Sequence, residues 1–190
     1  MPLNYRNLSL AEITVEAEAV THAAQTAFGQ LSAAQLNWKP SAEAWSVGQC
    51  LEHLMAVNRA MFPAFDEVIE GRKQMTLWER MPLLPGLLGG LMVKAVSPEA
   101  KQKLKAPPAA QPATNASDAL IVSHFVAHQR EVLGRLQDME KYEADKIVMT
   151  SPFLAVVTYN MLDACRLIVA HERRHLQQAQ RVTQTPGFPQ

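Results

Sequence analysis

LAVVTYNMLDACRLIVAHERRHLQQAQRVT, residues Leu154–Thr183, decides how this chain is read. Leu154, Val157, Met161, Cys165 and Ile168 recur at steps of three and four, which places them on one face of a helix. The stripe then runs on through His171 and His175. An apolar face that ends in two imidazoles needs an explanation, because a buried ring nitrogen is costly unless it is hydrogen-bonded or ligated. Residues four apart project from the same side of a helix. Neutral imidazole suits zinc, nickel, copper or iron. The stretch therefore predicts a bundle helix and part of a metal site together.

Three further helices follow by the same reasoning. Over 9–31, Leu10, Ile13, Ala17, Val20, Ala24, Ala27 and Leu31 form a seam, with a Ser9/Glu12 capping box and Leu8 stapled on Ile13. Over 46–71, Ser46 and Gln49 cap a stripe of Cys50, Leu54, Val57, Met61, Phe65 and Val68, and Gly71 ends it. Over 117–141 the stripe is Ile121, Phe125, His128, Val132, Leu136 and Met139. The last helix is expected over 154–183. No segment alternates with period two for long, so no sheet is expected. Residues 72–116 join the second and third helices, far longer than the usual link of ~4–6 residues. Such a link suits parallel second and third helices, the chain crossing back along the bundle. The expected fold is all-α: one domain over 1–190, a four-helix up-down-down-up bundle with a long crossover. A short extra helix is expected in it at Leu77–Val96, followed by an extended Ala106–Ala116.

This topology supplies a third ligand. His53 lies about 10 Å along the second helix, and His175 about 12 Å from the far end of the fourth, at 1.5 Å per residue. With those ends together, His53, His171 and His175 share a height. Three protein ligands leave coordination positions open, the pattern of catalytic rather than structural sites. His171-Glu172-Arg173-Arg174-His175 also fits H-E-x-x-H, in which Glu172 would be a general base. No His, Glu or Asp follows His175 to complete a protease site. Glu172 is left to orient a ligand, to bind solvent on the metal, or to pair with Arg173 or lysines at the surface. His124 and His128 form a second pair four apart. His128 is on the inward stripe, either as a cavity base or fourth ligand or as a core histidine; His124 is nearer the edge, and His22 faces out. Trp45 either lines the mouth of the site or staples onto Cys50. Cys50 and Cys165, far apart and without a CxxC, read as buried core thiols.

Eighteen acidic and eighteen basic residues balance, which leaves no general field for nucleic acid. The most apolar run, Pro82 to Val96, is broken by Pro85, Gly86, Gly89, Gly90 and Lys94 and is too short to span a bilayer. No basic region followed by an apolar stretch opens the chain, and a cytoplasmic setting is expected. The crossover apolar residues Met75, Leu77, Trp78, Met81, Leu83, Leu84, Leu87, Leu88, Leu91 and Met92 exceed what a loop needs. They read as core cover or a dimer contact, or as a face that rests on a membrane.

Taken together, these motifs resemble the DinB/YfiT-like superfamily of four-helix metalloproteins. The resemblance is carried by Leu31-Ser32, Leu36-Asn37-Trp38-Lys39-Pro40, Ala44-Trp45-Ser46-Val47-Gly48-Gln49, His53-Leu54, Lys105-Ala106-Pro107-Pro108 and His171-x-x-x-His175-x-x-Gln178. It implies a divalent transition metal, zinc or nickel, on His53, His171 and His175, and homodimers. It also implies chemistry on small molecules, with low-molecular-weight thiols as co-substrates in a thiol S-transferase. A metal-dependent hydrolase and a non-catalytic binding protein are the alternatives. Glu172 and His128 are the candidate catalytic side chains.

Overall fold

The computed structural model describes residues 3–81, 84–101, 106–112 and 116–190. Pro82, Leu83, Lys105 and residues 113–115 of the expected extended stretch lie outside them, as does the Leu84 side chain. Four long helices form the bundle: α1 (Leu10–Phe28), α3 (Val47–Ile69), α5 (Ile121–Met139) and α6 (Met161–Thr183). Between them lie the short α2 (Ala33–Asn37), the crossover helix α4 (Leu84–Val96) and strands β1 (Val148–Thr150) and β2 (Thr158–Asn160). Among the described residues no helix is long and apolar enough to cross a membrane.

Capping boxes start the early helices where the sequence places them. Ser9 with Glu12 opens α1, and Ser46 with Gln49 opens α3. A third box, Ser32 with Gln35, opens α2 inside what the sequence reads as a link. The first helix therefore ends at Phe28, short of Leu31. The third starts at Ile121 rather than Ser117, because the Ser117 backbone is held elsewhere. Its N–H donates to Asn37 Oδ1 at 2.6 Å, and Asn37 Nδ2 donates back to Ser117 O at 3.1 Å. The crossover helix is shorter than expected, and Leu77–Arg80 form turns before it.

The fourth helix also begins late. Asn160 caps it by accepting from the Asp163 N–H at 2.7 Å. Val148–Thr150 and Thr158–Asn160 pair antiparallel, so the expectation of no sheet is corrected. Three-residue strands are too short to show a period, and Leu154 and Val157 happen to fall in phase with the helix that follows.

The packing gives the up-down-down-up order. Both α1 and α3 pack against α5 and α6. Arg166 Nε donates to Leu8 O, and Arg173 pairs with Glu16, so α1 and α6 run parallel. His128 stacks on Phe62, and Arg135 pairs with Asp66, so α3 and α5 run parallel. The crossover exists because α3 ends at one end of the bundle and α5 begins at the other.

The core is divided. One apolar cluster holds Met61, Phe65, Leu136, Met161 and Ile168; the other holds Phe28, Leu51, Leu54, Phe125 and Leu176. Between these levels lies a buried polar layer of Asn58, His128, Gln129 and Glu172.

Candidate metal centre

α3 and α6 bring His53, His171 and His175 together. Their candidate ligand atoms all lie within 4.8 Å of one another, which makes the group one that could hold a metal ion. The imidazole centroids are 4.5–5.0 Å apart in edge-to-face arrangements. His53 Nε2 lies 3.3 Å from His171 Nε2. Two nitrogens of a tetrahedral zinc, each ~2.0–2.1 Å from the metal, would stand about 3.4 Å apart.

The crossover fixes which nitrogen His53 offers. Its Nδ1 faces the Ala110 carbonyl at 2.5 Å, in the 3-10 turn Pro108–Ala110. Donation there leaves Nε2 as a lone pair turned toward His171. This is the second interaction, carboxylate or backbone carbonyl, that orients a ligating imidazole. The His171 and His175 Nδ1 atoms are buried without a hydrogen-bond partner among the described residues. All three rings are held neutral. Burial, then the charges of His175 and His53, takes His171 well below the ordinary histidine value. Burial, then His53 and Arg174, takes His175 down to about 3, against a hydrogen bond with Gln178. Burial lowers His53 while its bond to Ala110 opposes. Three neutral, converging imidazoles are a donor set that suits a borderline cation. Trp45 closes one side, stacked on His175 at 5.7 Å and tilted against His53 at 4.8 Å. It is half-buried and also packs on the apolar cluster that contains Cys50.

The middle of the H-E-x-x-H segment serves the scaffold. Glu172 is fully buried and does not pair with Arg173 or any lysine at the surface, as one reading had it. Its Oε1 accepts from Asn58 Nδ2 at 2.8 Å and from Gln129 Nε2 at 2.6 Å. Burial raises its pKa to about 7, against those two hydrogen bonds. Arg173 pairs instead with Glu16, and Arg174 Nη1 donates to Ser97 O and Ala100 O, both at 2.9 Å, tying α6 to the crossover. His128 is buried and stacked on Phe62, 5.3 Å between centroids; its neighbour Gln129 is the one that reaches Glu172. Burial, then Arg59 and Arg135, lowers His128 to about 4. His124 and His22 are exposed.

The residue profile of the DinB superfamily matches residues 16–179, a span that includes all three histidines. The chain belongs to the DinB superfamily. Among curated proteins and solved structures, none matches it. For this DinB-superfamily chain the three candidate ligand histidines were readable from spacing; Asn58 and Gln129 were missed, though each left a signal. Asn58 follows Leu54 by four, and Gln129 lies between Phe125 and Val132, so each is an amide on an inward apolar stripe. The Ala110 carbonyl left no signal, because a backbone group is placed by the path of the crossover and not by residue type.

Proposed function

We propose that His53, His171 and His175 bind one divalent transition metal, zinc or nickel, and that the centre is a metal-dependent enzyme transferring a small thiol to an electrophile. The observation that carries this is the convergence of three neutral imidazoles, with His53 oriented by Ala110. When bound, such a metal would lower the pKa of a thiol or water at an open position and supply a nucleophile at neutral pH. The chain's own groups favour a thiol brought in as substrate. Cys50 and Cys165 are buried, and burial pushes the Cys50 thiol up to about 12 and Cys165 higher still, so neither supplies a thiolate. Glu172, the side chain a hydrolase would use as base, is engaged by Asn58 and Gln129 inside the bundle. A thiol, far more acidic than water to begin with, would lose its proton to solvent at such a metal without that base. His171 and His175 hold one side of the site, His53 the other, and Trp45 limits the mouth.

Elemental analysis of protein purified without chelator or histidine tag should find one metal per chain. His53→Ala should lose it while keeping the helical circular dichroism. Consumption of a low-molecular-weight thiol with a small electrophile should follow metal content. Undiminished thiol transfer after metal removal, or stoichiometric metal in His53→Ala, would count against the reading.

A further inference from the structure

The sequence leaves the apolar crossover with several roles, and the structure turns Leu77, Leu87 and Leu91 outward. α4 lies with its small residues against the bundle. A Cβ at Gly89 would stand 2.3 Å from Asp163 Oδ2, and one at Gly90 would stand 2.9 Å from Arg6 Nη2. Val93 is fully buried. The opposite face carries Leu87, 64% exposed, and Leu91, 54% exposed, one turn apart. The turns before α4 add Leu77, 85% exposed, with Trp78 and Met81 each nearly half exposed. Met92 packs on the core, so core cover holds for part of the segment, while Leu77, Leu87 and Leu91 are left mostly exposed.

Charge says what meets them. The whole chain is neutral, but the crossover is not. From Arg72 to Lys105 it holds seven basic and two acidic residues, against eleven basic and sixteen acidic elsewhere. Among the described residues, Arg80, Lys94 and Lys101 are exposed on the same segment as the leucines and Trp78. A two-fold contact with a second copy would set this basic segment against itself, since such interfaces pair one patch with its own image. An anionic occupant has no such penalty. Leu87, Leu91 and Lys94, at i, i+4 and i+7, share one exposed face of α4, and the turns before it expose Leu77, Trp78 and Arg80, which is the composition of segments that lie in a lipid interface.

We infer that α4 and the described residues flanking it form a peripheral docking face for anionic lipid, with Leu77, Trp78, Leu87 and Leu91 entering the headgroup boundary and Arg80, Lys94 and Lys101 holding the phosphates. The test is flotation of the full chain with vesicles of phosphatidylcholine alone and of equimolar phosphatidylcholine and phosphatidylglycerol. The chain should float with the mixed vesicles only and be released by high salt. Arg80→Ala and Lys94→Ala should each weaken partitioning about fivefold. Leu87→Gln with Leu91→Gln, both exposed positions, should abolish flotation while leaving helix content and metal content unchanged. Three results would overturn the inference: no flotation, equal flotation on both vesicles, or flotation unaffected by the leucine pair. So would a sedimenting dimer that the leucine pair splits, which assigns the face to a second copy. Capture by polyglutamate without vesicle binding would assign it to an acidic polypeptide.

Discussion

Glu172 stands between His171 and Arg173 in sequence, and between α3 and α5 in space. Its two amide donors come one from each of those helices, so one carboxylate fixes the height and rotation of α6 against both. The neighbouring residue is a candidate ligand that must meet His53 on α3. Removing the carboxylate would leave two buried amide donors unpaired, and buried unpaired donors cost more than the bond was worth. Glu172→Ala should lower the unfolding free energy by about 3 kcal/mol and loosen metal binding. Glu172→Gln, which keeps an acceptor oxygen, should lose less than half of that. Urea midpoints with and without metal would measure both; an alanine variant as stable as the parent would refute the role. The residue scale is also where the sequence was most readable. A histidine pair at four-residue spacing on an apolar stripe is a local pattern, and His53, Asn58 and Gln129 are polar groups on or beside such stripes.

Elements differ in how much they announce themselves. Helices of nineteen to twenty-three residues carry a long apolar stripe, and capping boxes mark where α1 and α3 begin. The β1–β2 hairpin carries no comparable signal, because its pairing depends on residues eight or more apart meeting, not on a pattern within either strand. The crossover helix is a middle case, apolar enough to be noticed, yet its orientation is set by glycines. Gly89→Ala would place a methyl group 2.3 Å from Asp163 Oδ2 and 2.9 Å from its Cβ, in the first turn of α6. Asp163 is itself buried and paired with Arg166, so it has little room to yield. A loss of about 1–3 kcal/mol is expected, read as a lower thermal midpoint. Gly86→Ala meets nothing within 4 Å on the same helix and should match or exceed the parent. Equal midpoints for the two variants would show that α4 is not seated by its glycine face.

On the scale of the molecule, the divided core governs the response to pH. His53, His128, His171 and His175 are all held neutral below the ordinary value of 6.5. The unfolded chain therefore takes up protons that the folded chain refuses, and stability falls as pH drops from about 6.5 toward 3. Glu172 acts the other way: its share is full below 4.5 and lost as pH rises through about 7. Metal-free protein should be most stable near neutrality and unfold on acidification. His128→Leu should flatten the acid limb by roughly 3 kcal/mol, since its displacement from 6.5 to about 4 is due first to burial. Chemical denaturation across pH 3–8 would show it, and a parent whose stability does not change from pH 7 to 4 would contradict it.

By itself the sequence determined the helical class, the long crossover, the starts of α1 and α3 and the three histidines, because periodicity, capping and i, i+4 spacing act within one segment. The tertiary structure alone decided that Ala110 orients His53, that Glu172 binds two amides rather than surface cations, that residues 148–160 form a hairpin, and that Leu87 and Leu91 of α4 face outward. Each of these depends on which distant segments meet, and neither the path of a backbone carbonyl nor the rotation of a helix on its neighbours is written in a local pattern.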